Sequence, residues 1–232
     1  MTLDPQQQAY LSTIGIDLYQ AQSMADSVGA TIDVKNQDQQ SGLSQLDWDG
    51  LSKQVETCVE CDLHSGRSQT VFGVGNQQAD LLIIGEAPGA EEDRQGEPFV
   101  GRAGQLLNEM LKAIGFNRNQ IYIANILKCR PPNNRDPKPE EAECCVRYLY
   151  RQIELLKPRL ILAVGRIAAQ RLLSTNMSLA KLRSRLHELK ETQTPFIVTY
   201  HPAYLLRAPG EKRKAWEDLL FVKQTLDNSD SN

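Results

Sequence analysis

Four cysteines constrain this chain more than any other feature: Cys58-Val59-Glu60-Cys61, then Cys129 after 67 residues, then Cys145 after 15 more, with Cys144 beside it. A pair two residues apart can grip one metal centre from a single turn, and two distant thiolates then close a cage by drawing separate segments together. Any fold built on these residues must bring three stretches of chain to one point. The spacing is that of ligands to one iron–sulfur cluster, with zinc as the competing metal. Scattered buried thiols are the plain alternative, since free cysteine packs like a small hydrophobe, but the Cys-x-x-Cys pair argues against them. Disulfides need an oxidising compartment, and Met1-Thr2-Leu3-Asp4-Pro5-Gln6 opens without an apolar signal stretch, so none is expected. A thioredoxin-type redox pair is disfavoured by Glu56, Glu60 and Asp62, whose charges oppose a lowered thiol pKa.

The 232 residues, 41% hydrophobic and 24% charged, suffice for one sizeable α/β domain plus an appendage. The longest apolar runs, Leu81–Ile84 and Leu160–Val164, are of strand length, far below the roughly 20 residues of a membrane helix. A soluble, cytoplasmic, monomeric protein with no membrane partner is expected. The net charge of -3 hides a division: residues 1–57 carry two basic and eight acidic residues, whereas residues 58–226 carry 24 basic and 19 acidic. The body is basic, as suits transient contact with a phosphate backbone.

Residues 1–45 are rich in Gln, Ser and Asp, too polar to build a core. They read as a flexible, acidic extension with a short helix near 5–12, followed by a catalytic domain over 46–226 and a tail over 227–232. Asp47 is placed as N-cap of a helix that carries Leu51 and Val55 and delivers Cys58. Beyond it, apolar runs alternate with amphipathic segments, which predicts a three-layer α/β/α fold around a central, mainly parallel four-stranded sheet. The strands are expected at 80–85, 121–125, 159–165 and 195–200. Helices are expected around Leu106–Ile114 and over 139–156, 167–173, 179–186 and 212–226. In such sheets the ligand crevice lies beyond the carboxyl ends of the strands, where Gly85-Glu86-Ala87-Pro88-Gly89, the Asn125 to Pro132 stretch and His201-Pro202-Ala203 all fall.

These segments, together with Gly96-x-Pro98-Phe99-Val100-Gly101-Arg102-Ala103-Gly104 and Asn134-Arg135, resemble the motifs of the uracil-DNA glycosylase superfamily. The match is to its iron–sulfur-containing family 4 and runs from about Cys58 to Leu226. The resemblance implies hydrolysis of the N-glycosidic bond of deoxyuridine in DNA, leaving an abasic site for base excision repair. It also implies a 4Fe-4S cluster on Cys58, Cys61, Cys129 and Cys145. Alignment on Arg147-Tyr148-Leu149 selects Cys145 over Cys144.

Cleavage generates a sugar cation and a uracil anion, so the site should stabilise negative charge on the base. His201 is expected to donate to uracil O2. Asn125 is expected to read the base by donating to O4 and accepting from N3–H, a pattern cytosine reverses. Phe99 should stack on the extruded base, with Gly85, Glu86 and Ala87 lining the same pocket. Ala87 stands where family 1 enzymes carry a water-orienting Asp, so Glu86 is expected to position the water, unless the cation forms with little help from a base. Leu205 and Leu206, on an expected exposed loop, are candidates to wedge into the stack. Arg135, Arg207, Lys212 and Arg213 are candidates for phosphate contact. Glu86, Glu92 and Asp93 fit a solvated loop rim equally well. Two alternatives are a weakly catalytic accessory protein and a relative that captures abasic sites covalently. Intact Asn125 and His201 argue against the first, and a stretch Pro209 to Trp216 without histidine argues against the second. The acidic extension is a candidate attachment point for a repair or replication partner.

Overall fold

The computed structural model describes residues 42–229; the helix expected near 5–12 lies outside them. In chain order the strands are β1 (Val74–Gly75), β2 (Leu81–Gly85), β3 (Tyr122–Asn125), β4 (Leu160–Val164), β5 (His187–Leu189) and β6 (Thr194–Thr199). They form one sheet in the order β1-β3-β2-β4-β6-β5. The four expected strands are its parallel centre, and the short antiparallel β1 and β5 extend it to six.

The central strands are apolar without alternation because both faces are covered. Leu82, Ile84, Ile161, Ala163, Phe196 and Val198 face one helical layer, and Leu81, Ile83, Leu160, Leu162, Val164 and Ile197 face the other. The first layer holds α1 (Trp48–Glu56), α4 (Pro139–Leu156) and α5 (Arg166–Leu172), and the second holds α3 (Arg102–Ala113) and α8 (Lys212–Ser229). Each such buried aliphatic side chain contributes roughly 2 kcal/mol of transfer free energy.

Local signals account for the boundaries. Asp47 caps α1, its Oδ1 accepting from the Gly50 N–H at 2.8 Å. Pro139 opens α4 at a position where its missing N–H costs nothing. Helix α6 (Leu179–Leu182) is shorter than expected. Arg183 leaves it to form a buried bidentate pair with Asp218 of α8, at 2.6 and 2.8 Å, and β5 claims the residues beyond. The expected loop after β6 is instead helix α7 (Pro202–Arg207), with His201 as its N-cap and Pro202 in its first turn. A further short helix, α2 (Ala90–Gln95), follows the Gly85–Gly89 motif. The order of the central strands reverses between β2 and β4, which sets a crevice at their carboxyl ends.

Candidate active site and cysteine cage

An open cavity of about 360 Å³ occupies that crevice, lined by Glu86 after β2, Gly165 and Arg166 after β4, and Tyr200, His201, Tyr204 and Arg207 after β6. Asp136 forms part of its rim and pairs with Arg166 at 3.1 Å. Asn125 and Phe99 are not on this wall; they meet at Gly85, the residue before Glu86. Asn125 ends β3 opposite Gly85 and is 2% exposed. A Cβ on Gly85 would lie 2.3 Å from Asn125 Oδ1 and 2.8 Å from the Phe99 ring, so only glycine lets these three approach. The Phe99 ring faces that of His201, with centroids 5.6 Å apart and planes 30° from parallel. Asn125, Phe99, Glu86 and His201 thus converge on one end of the sheet.

Phe99 sits in the left-handed backbone region, at φ 55°, a conformation its surroundings must enforce. Arg118 supplies one clamp, donating to the carbonyls of Pro98 and Phe99. Glu92 supplies another, its Oε1 accepting from the N–H groups of Val100 and Gly101 at 3.0 and 3.2 Å. Asp93 is buried and accepts from the Ser68 N–H. Neither acid is a solvated rim. Arg118 carried no local signal in the sequence, because its partners are main-chain carbonyls 19 and 20 residues away and the Asn108 side chain ten residues away.

His201 and Glu86, both on the cavity wall, are shifted in opposite senses. Burial, helped by Arg207 and opposed by Glu92, pulls His201 down to about 4. Its Nδ1 accepts from the Ala203 N–H at 3.1 Å, which leaves the ring proton of the neutral form on Nε2. Burial and Asp136 push Glu86 up to about 7, with Arg166 opposing.

Leu205 is 1% exposed and belongs to the core, so a wedging role cannot fall to it; Leu206, on the outer face of α7, is 37% exposed. Arg135 directs its guanidinium at both carboxylate oxygens of Glu141, at 2.5 and 2.8 Å, and at the Asp136 carbonyl. It braces the start of α4 while remaining partly exposed. Arg207 lines the cavity, Lys212 lies in a groove beside Trp216, and Arg213 is exposed beside Glu217.

All five cysteines border a second cavity of about 10 Å³, with Arg67, Lys128 and Tyr148. Donors already aim at three of the sulfurs: Arg67 Nη1 at Cys129 Sγ (3.2 Å), the Lys128 N–H at Cys145 Sγ (3.2 Å) and the Tyr148 hydroxyl at Cys58 Sγ (3.3 Å). Such contacts hold and tune metal-bound thiolates. Burial pushes the Cys145 thiol up to about 12, so it ionises here only against strong positive charge, which a metal centre provides. The donor set fits a cluster. Cys144 also reaches the wall, although Cys145 is the more deeply buried of the two.

The α/β/α sheet thus carries an open crevice at the carboxyl ends of its strands and a cage of five thiols. Residues 72–220 match the sequence profile of the uracil DNA glycosylase superfamily, and the chain belongs to that superfamily. Within it the similarity is to type-4 enzymes. The chain is 44% identical to the type-4 uracil-DNA glycosylase of Archaeoglobus fulgidus, over 69% of this chain and 84% of that protein. It is 43% identical to the Thermotoga maritima enzyme of the same name, over 76% and 93%, and 41% identical to that of Pyrobaculum aerophilum, over 78% and 96%.

Proposed function

We propose that this chain excises uracil from DNA by hydrolysing the N-glycosidic bond of deoxyuridine, with His201, Asn125, Phe99 and Glu86 as its working residues. The observation that carries this reading is the state of His201. A neutral imidazole, tethered through Nδ1, offers one fixed N–H at Nε2, and a fixed dipole stabilises charge developing on uracil O2 without reorganisation. Asn125 donates to O4 and accepts from N3–H. Phe99, held by Arg118 and Glu92, provides the flat face against which the base rests. Glu86, poised near 7, takes the proton of the attacking water as the sugar becomes electron-poor.

Flipping the nucleotide costs a few kcal/mol of stacking, and Leu206 fills the vacated space. Arg207, Lys212 and Arg213 meet the backbone phosphates around it. Cys58, Cys61, Cys129 and Cys145 hold a 4Fe-4S cluster, which supplies a structural cross-link between the segments that carry them. What supports this reading is that the cysteines, from segments far apart in sequence, line one cavity.

The test is direct. Purified protein is incubated with uracil-containing and matched thymine-containing oligonucleotides, then treated with alkali. Strand cleavage at uracil alone is expected; an intact uracil strand refutes the assignment.

A further inference from the structure

One buried cation has no part in the reaction as described. Lys128 is 1% exposed, and its ammonium donates to three neutral acceptors: Gln152 Oε1 at 2.6 Å, the Asn125 carbonyl at 2.9 Å and the Phe72 carbonyl at 3.2 Å. Among the described residues no carboxylate pairs with it. Burying such a charge is costly, and an apolar side chain of similar volume is often the more stable choice, although Cys145 of the cage gives the ammonium some electrostatic support. The placement of its contacts shows what the charge serves. The main-chain N–H of Lys128 donates to Cys145 Sγ, and its carbonyl accepts from the Val71 N–H at 2.8 Å, so its backbone is fixed against the cage. Its side chain then reaches back three residues to the peptide that carries Asn125. Beyond Asn125 the chain stays paired to the pocket floor, with the Ile126 and Leu127 N–H groups donating to the Gly85 and Glu86 carbonyls. A displacement of the Asn125 peptide therefore moves the reader against Gly85, where the approach is already tight.

We propose that Lys128 is a positioning residue, a rigid strut from the cage wall to the Asn125 peptide that sets how firmly the pocket holds uracil. The proposal rests on Asn125 as the base reader and on the cage as the cluster site.

Lys128→Met keeps the volume and removes the charge. Iron and sulfide content, unfolding temperature and affinity for DNA bearing a tetrahydrofuran abasic analogue should stay within about twofold of the unaltered protein. Affinity for free uracil, measured by calorimetry, should fall at least about tenfold, the scale of one lost hydrogen bond to a charged group, and kcat/KM on uracil DNA should fall with it. Unchanged uracil affinity overturns the proposal. Should Lys128→Met misfold or lose iron, Gln152→Met leaves the ammonium but removes one of its acceptors. Uracil affinity should then drop several-fold with iron retained, and no drop is equally fatal. Asn125→Asp separates the failures. If it too leaves uracil affinity intact, the reader assignment has fallen and Lys128 with it; if it alone weakens uracil binding, only the strut is refuted.

Discussion

At the scale of single residues, environment decides which of two similar groups does what. His201 and Glu86 share one cavity wall, yet burial leaves the first without its charge and the second able to gain or lose its proton near neutrality. Replacing His201 by Ala removes the fixed N–H and should lower kcat about 10²–10³-fold, the usual cost of one lost oxyanion donor, with little change in affinity for uracil DNA. Single-turnover kinetics set beside equilibrium binding would check that split. Glu86 predicts a pH profile. Ionised Glu86 accepts the water proton, so kcat/KM should rise about tenfold per pH unit below about 7 and level off above it. His201, at about 4, stays neutral throughout that range. Glu86→Gln should flatten the acid limb as well as slow the enzyme; a Gln variant that keeps the limb assigns it to another group.

At the scale of elements, helix α7 turns a pair of adjacent leucines into two different parts. Side chains one residue apart on a helix point about 100° from each other, so Leu205 enters the core while Leu206 stays outside. Leu206→Ala should slow excision from duplex DNA about tenfold and from single strands less than twofold, because only the duplex must be held open. Comparing the two substrates at matched uracil content tests it. The leucines also show where reading the chain stops. The parallel strands and α4 were legible, since buried strands write continuous apolar runs and α4 is bracketed by Pro139 and Pro158. The pocket motifs were legible because each is local, lying at a strand end. Helix α7 was not, because its N-cap is a histidine, outside the usual Ser, Thr, Asp and Asn set. Nor were β1 and β5, at two and three residues too short to establish a period. Arg67, Arg118 and Lys128 were invisible for a third reason: each gathers main-chain carbonyls and side chains from separate segments, and nothing in a lone basic residue announces that.

At the scale of the whole molecule, the cage joins the chain just after α1, the segment after β3 and the first turns of α4. Metal binding of this kind is folding free energy. Cys145→Ser should therefore lose iron and lower the unfolding temperature by about 10 °C or more, since a few kcal/mol corresponds to that shift at this size. Cys144→Ser should retain iron and sulfide, and loss of iron from it would move the fourth ligand by one position. Iron content and thermal melts of the two variants decide the matter.

Among the described residues the sheet is also short at both margins, where two residues of β1 and three of β5 are all that face outward along the hydrogen-bonding direction. A neighbouring polypeptide seeking to extend the ladder finds almost no rungs. The sheet margins are thereby poor templates for aggregation, which leaves the rim where the strands end as the open side of the sheet.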